Sequence, residues 1–138
     1  MTEFKILAET PQYLIKLNPE VPCVMIKWRG EMHSEGYRKA LNDTIDWMSE
    51  HQVSKIINDD RKITKGISSE DLNWAMQDWL KRALEAGYRA MAIIQERDFF
   101  KRYPAAQISA MARMHYQDLI KVEYFSTVKS AEDWIKVA

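Results

Sequence analysis

The sequence predicts a mixed β-sheet packed by helices, an α/β fold built as a single domain over residues 1–138. Three observations predict it. The stretch up to Arg29 holds three short apolar runs separated by turn-forming residues, the pattern of an antiparallel meander. From Ser34 onward the apolar spacing changes to the three-and-four rhythm of a helix, and such stretches then alternate with short apolar runs. A chain of 138 residues, 46% hydrophobic and 29% charged, suffices for one core and leaves no room for a second. The resulting order is β-β-β-α-β-α-β-α-β-α, in which strands joined through helices should be parallel and buried.

Residues 4–9 are the first expected strand, broken by Thr10-Pro11-Gln12, and residues 13–17 are the second. Asn18-Pro19-Glu20 turns the chain, because Pro fixes φ and Asn tolerates turn geometry. Residues 21–29 follow as the third strand, with Val24, Ile26 and Trp28 on one face and Cys23, Met25 and Lys27 on the other. Ser34 is the expected cap of a helix to His51, with Tyr37, Ala40, Leu41, Ile45 and Met48 inward and Arg38, Asn42, Asp46 and Glu50 outward. Residues 53–58 read as a compact strand ending in Asp59-Asp60-Arg61, followed by a polar loop to Ile67.

Ser68 caps the next expected helix, Asp71 stands at the reciprocal position of a capping box, and Ile67 and Leu72 hold the staple positions. The apolar stripe is Leu72, Ala75, Met76, Trp79, Leu80 and Ala83, and Gly87 supplies a left-handed residue to end it. Residues 88–95 are a buried strand. Residues 97–103 are aromatic and basic, and Pro104 opens a third helix to about Ile120. Residues 122–125 are the last strand. Ser130 is the expected cap of a final helix, with Asp133 in the reciprocal position and Trp134 and Val137 facing inward.

Composition excludes several classes. Twenty basic and 20 acidic side chains leave a formal net charge of +0, unlike the strongly basic domain of a generic nucleic-acid binder. The single Cys23 rules out an internal disulfide and a cysteine-based zinc site. Met1-Thr2-Glu3-Phe4-Lys5 has an acid where a signal peptide is basic, and the apolar stretches 21–26 and 90–94 fall far short of the ~20 residues that span a bilayer. A cytoplasmic protein without a transmembrane segment is expected. The sequence contains no Gly-rich phosphate loop, no serine elbow and no His-Glu metal motif, so it assigns no catalytic residue, cofactor or metal.

Some local patterns point further. Residues 55–58 run into Asp59-Asp60-Arg61, the strand at 89–94 follows a glycine, and the chain closes with Tyr124-Phe125-Ser126 and then Ser130-Ala131-Glu132-Asp133-Trp134-Ile135. An Asp-x-Arg at a strand end, a glycine before the next strand, and a terminal Phe followed by a capped helix are all similar to patterns of the STAS-like (SpoIIAA-like) family. With the element order, they make the chain resemble that family over essentially its whole length. The resemblance implies one of two roles. Anti-sigma factor antagonists are small STAS proteins that bind a kinase partner and are switched by serine phosphorylation, in an Asp-Ser-Ser-Gly-like signature directly after the fourth strand. That place holds Asp59-Asp60-Arg61-Lys62, so the signature is absent, and Ser68 and Ser69 are left as candidate phosphosites beside the capping role of Ser68. The other branch resembles CRAL-TRIO-like domains, which implies an apolar cleft for a lipid-like ligand.

Ligands of open α/β sheets collect at the carboxyl ends of parallel strands. Arg29, His33, Arg61, Lys62, Arg97 and Lys101 are expected there and are candidates to bind an anionic group, helped by the helix start at Ser68. The alternative is solvated loop charge paired with Asp59, Asp60 and Asp98. Asp59 and Asp60 lack the third carboxylate a magnesium site would want. Phe99, Phe100, Met111 and Met114 are candidates for an apolar cleft, or for ordinary packing. Trp47 and Trp74 lie off the apolar stripes and are interface candidates. Cys23 reads as core. The expected function is a non-enzymatic STAS-like regulatory or protein-interaction module, as a homodimer or on a protein partner. The alternative is a carrier of a small hydrophobic or anionic ligand.

Overall fold

The computed structural model describes residues 4–96 and 120–138. Among them six strands form one sheet in the order β1-β2-β3-β4-β5-β6, so every strand lies beside its neighbours in sequence. They are β1 (Lys5–Glu9), β2 (Tyr13–Asn18), β3 (Cys23–Glu31), β4 (Lys55–Lys65), β5 (Ala90–Ile94) and β6 (Lys121–Phe125). The first three pair antiparallel, and β3 through β6 pair parallel. The expected meander followed by a parallel half is observed.

Helix α1 (Ser34–His51) connects β3 to β4. Between β4 and β5 the chain forms α2 (Ser69–Trp74), a π-turn (Ala75–Trp79) and α3 (Leu80–Glu85). Helix α4 (Val128–Val137) follows β6. Period-two alternation divides the strand side chains between two layers. Ile15, Val24, Ile26, Trp28, Ile56 and Ile93 pack with Tyr37, Ala40, Leu41 and Met48 of α1 and with Ala75, Trp79, Leu80 and Ala83. Cys23, Met25, Ile57, Ala92 and Ile94 pack with Ala131 and Ile135 of α4. The split of β3 follows the sequence pattern, and burial pushes the Cys23 thiol up to about 12, which suits a core group and not a nucleophile. Lys55 donates to the Ile135 carbonyl at 2.8 Å, placing a cation at the C-terminal end of α4.

Element ends differ from expectation in ways that have local causes. β3 begins at Cys23, after Pro22, which has no N–H to give a ladder. β4 does not stop at Asn58. It continues through Asp59, Asp60, Arg61 and Lys62 to Lys65, because β3 runs beside it from Val24↔Ile56 to Glu31↔Lys65, with register shifts between Lys27 and Arg29 and again between Gly30 and Glu31. The expected loop is thus strand, and Asp59 and Asp60 are buried.

Caps also move. Residue His33, not Ser34, is the N-cap of α1, and the Ser34 hydroxyl donates instead to Asp71 Oδ1 at 2.7 Å. Thr44 takes the fully buried place expected for Ile45, because its hydroxyl can donate to the Ala40 carbonyl at 2.7 Å. The cap of α4 is Thr127, whose hydroxyl accepts from the Ser130 N–H at 3.1 Å. The helix therefore starts one turn early and turns Ala131 and Ile135 inward. Trp134 lies half-buried on Phe125, and Val137 is 82% exposed, not inward. Gly87 ends α3 as expected, at φ +107°, with its N–H on the Leu84 carbonyl and the Tyr88 N–H on the Ala83 carbonyl. The third helix expected from Pro104 lies outside the described residues.

Candidate functional site

The site is built from the second half of β4. Asn58 and Asp60 are two residues apart and share the face covered by α1 and α2, while Asp59 between them points away. The Trp28 indole N–H donates to Asn58 Oδ1 at 2.8 Å, which orients the amide so that its Nδ2 donates to Asp60 Oδ1. On the other face, Arg61 closes back on Asp59 through Nε at 3.0 Å and Nη2 at 2.9 Å, a bidentate pair on one strand.

Asp60 is only 3% exposed and lines a cavity of about 50 Å³, partly open to the surface, between the sheet and the helices. Its other walls include Trp28, Tyr37, Ala75, Trp79 and Met91. Trp28 and Tyr37 stack tilted at 5.5 Å between ring centroids. The Trp79 indole N–H donates to the Leu41 carbonyl at 2.7 Å, so this ring is fixed and its donor is used. The π-turn brings Ala75 and Trp79 to the same wall, and π-turns recur where a helix is shaped around a site. Burial raises the Asp60 carboxyl well above its ordinary value of 3.8, the Asp59 charge raises it further, and the bond from Asn58 opposes both. Burial likewise raises the Tyr37 phenol, with Asp60 and Asp71 adding to the shift.

A second buried acid stands nearby. The Asp71 N–H caps onto Ser68 Oγ at 3.1 Å, but its carboxylate does not return to the Ser68 backbone as a full capping box would. It accepts instead from Ser34 Oγ and from Arg38 Nε at 2.9 Å, tying the starts of α1 and α2 together. The Arg38 guanidinium lies 5.0 Å and the Arg82 guanidinium 6.0 Å from the Trp74 ring centroid.

Of the expected anion-binding residues, Arg29 and Lys62 are register partners on β3 and β4. Arg29 reaches Glu9 at 3.1 Å and the Thr10 carbonyl at 2.9 Å, towards the β1–β2 hairpin. Arg61 is engaged by Asp59, Lys62 is exposed, and exposed His33 receives a bond from the Gln12 side chain at its carbonyl. Arg97, Lys101, Phe99, Phe100, Met111 and Met114 lie outside the described residues. Ser68 and Ser69 are exposed at the start of α2. Trp47 and Trp74 are half-buried and pack against the core, and Trp74 is covered by two arginines. Among the described residues no group of three or more His, Cys, Asp or Glu could hold a metal ion, and no helix is long and apolar enough to cross a membrane. What sequence reasoning missed is Asp60. The signal is the continued alternation Ile56, Asn58, Asp60 with an apolar Ile63 beyond it, which a strand explains and a loop does not.

The SpoIIAA-like family model matches residues 23–136, from the first residue of β3 to the penultimate residue of α4. The chain belongs to the SpoIIAA-like family. Among solved structures, this SpoIIAA-like chain is similar to an uncharacterized protein from the DUF3478 family with a SpoIIAA-like fold from Shewanella loihica PV-4. That similarity has 14% identity and a TM-score of 0.47, and it covers 97% of this chain and 93% of that one. No curated protein matches. In this SpoIIAA-like chain the segment after Asn58 is strand, buried at Asp59, Asp60 and Ile63, and the pocket around Asp60 falls within the span matched by the family.

Proposed function

We propose that this SpoIIAA-like chain is a non-enzymatic binding module for a small molecule, held between the sheet and the α1–α2 layer beside Asp60. The observation that carries the reading is a cavity walled by aromatic and apolar side chains with one buried carboxyl in it, the usual make-up of a small-ligand site. Its volume of about 50 Å³ takes a small molecule of several heavy atoms, since one water needs only about 10–15 Å³ of such space. Interaction through Trp47 and Trp74 is less well supported, because both rings are engaged with the protein's own core.

The test is an NMR titration of the full chain with small neutral alcohols, ketones and thioethers. Binding should move the indole N–H signals of Trp28 and Trp79 while leaving that of Trp134, on the far side of the sheet, in place. Ala75→Val, which fills the cavity from the π-turn, should abolish those shifts. Shifts spread evenly over the surface, or none at all, would remove the basis for the reading.

A further inference from the structure

We propose that the pocket takes a small organic ammonium group, held by the Asp60 carboxylate against the rings of Trp28, Tyr37 and Trp79. This rests on the ligand-pocket reading above and adds the charge of the ligand.

Three acids are buried in this part of the protein: Asp60 on the cavity face of β4, Asp59 on its other face, and Asp71 in the first turn of α2. Asp59 is matched by Arg61 at 2.9 Å, and Asp71 is matched by Arg38 at 2.9 Å. Asp60 has no Lys, Arg or His within ion-pair distance among the described residues, although it is as buried as the other two. Of the three, Asp60 is the one without a cation among the described residues, and it faces the cavity. A buried carboxylate is stable only when paired, so a positive group in the cavity is what would let Asp60 ionise.

The walls agree. The indole donors of Trp28 and Trp79 are already given to Asn58 and to the Leu41 carbonyl. These N–H groups are therefore not available to a ligand, and what the two side chains add to the wall is aromatic surface. Aromatic rings attract cations, and ring walls around an acid are how ammonium groups are recognised. The Asn58 amide occupies Oδ1 of Asp60, which leaves Oδ2 to accept from an ammonium N–H.

Around Asp60, β4 contributes Asp59 and Arg61, and β3 contributes Lys27, aligned with Asp59, and Arg29, turned to Glu9. α1 contributes Tyr37 and Arg38, α2 contributes Asp71, and β5 has no titratable side chain. With the pocket empty, burial and the Asp59 charge favour the protonated carboxyl. A bound ammonium favours the ionised one, so at any pH where the empty pocket holds the proton, binding releases it to solvent. Affinity then rises with pH, by up to about tenfold per unit, until Asp60 is ionised without ligand. A neutral ligand held by the protonated acid would weaken with pH.

The experiment is calorimetric titration of the full chain with methylammonium and trimethylammonium, and with tert-butanol as a neutral counterpart, from about pH 5 to about pH 8. NMR on the Trp28 and Trp79 indoles locates binding. The ammonium probes should tighten with pH and release a proton, and Asp60→Asn should weaken them at least about tenfold and by more than it weakens tert-butanol. The wild-type pH dependence tests the same point with no substitution. If tert-butanol binds at the two indoles and the ammonium probes do not, or if they bind Asp60→Asn equally well, the ammonium inference falls and the pocket stands. If no probe binds, both fall.

Discussion

Asp60 couples the pocket to the stability of the protein. A carboxyl whose folded value is raised binds more protons folded than unfolded. Its stabilising effect is full below the ordinary value of 3.8, and stability is lost as pH rises from there through the folded value. Asp60→Asn keeps the bond from Asn58 and removes the titration. The substituted protein should gain on the wild type as pH rises above about 4, with a slope of up to about 1.4 kcal/mol per unit. Urea unfolding of both proteins at several pH values measures this, and parallel stability curves would contradict it. Gln52 is a simpler case. It ends α1 at φ +54°, with its N–H on Ser49 and the Val53 N–H on Met48, a place that suits glycine. Gln52→Gly should stabilise the protein by about 0.5–1 kcal/mol in the same denaturation assay. At this scale Val24, Ile26 and Trp28 were legible because alternation is a local property. Asp60 was not, because two adjacent acids before an arginine look like a solvated strand end. Both are buried, and Asp60 is covered only by packing of α1 and the π-turn, distant in sequence.

Between elements, the Asp71 carboxylate is the clamp. It takes a hydroxyl and a guanidinium from the first turns of α1 while its own N–H starts α2 on Ser68. Asp71→Ala should cost about 2 kcal/mol, since bonds to a charged acceptor are lost together. Ser68→Ala should cost about 1 kcal/mol, the usual value of a cap. Denaturation midpoints test both, and a larger loss for Ser68→Ala than for Asp71→Ala would show that the clamp matters less than the cap. The Ser68 cap was legible because it depends on three neighbouring residues. The starts of α1 and α4 were misjudged by short shifts because Ser34 and Ser130 each have a rival nearby, and the partner that decides lies elsewhere in one case and one turn upstream in the other. The π-turn left no mark in the sequence, since Ala75 to Trp79 fit the helical stripe without it.

At the scale of the whole molecule, the change from two-residue to helical spacing was enough to give the order of the described elements and the parallel half of the sheet. It could not give the pocket, which needs β3, β4, α1 and the π-turn at once. Burial is graded along the sheet. β1 is mostly exposed, with Ile6 59% accessible, while β3, β4 and β5 carry the side chains of both layers. Hydrogen exchange should therefore be fastest in β1 and slowest in β3 to β5. Equal protection of β1 and β4 would show that the edge is held by more than its ladder.

The neighbour-by-neighbour strand order bears on how the chain is made. A ribosome delivers β1 first and β6 last, and no strand has to slip between two that are already joined. The growing sheet always exposes the edge its next strand will take, so each new pairing can begin while the remainder is still being synthesised.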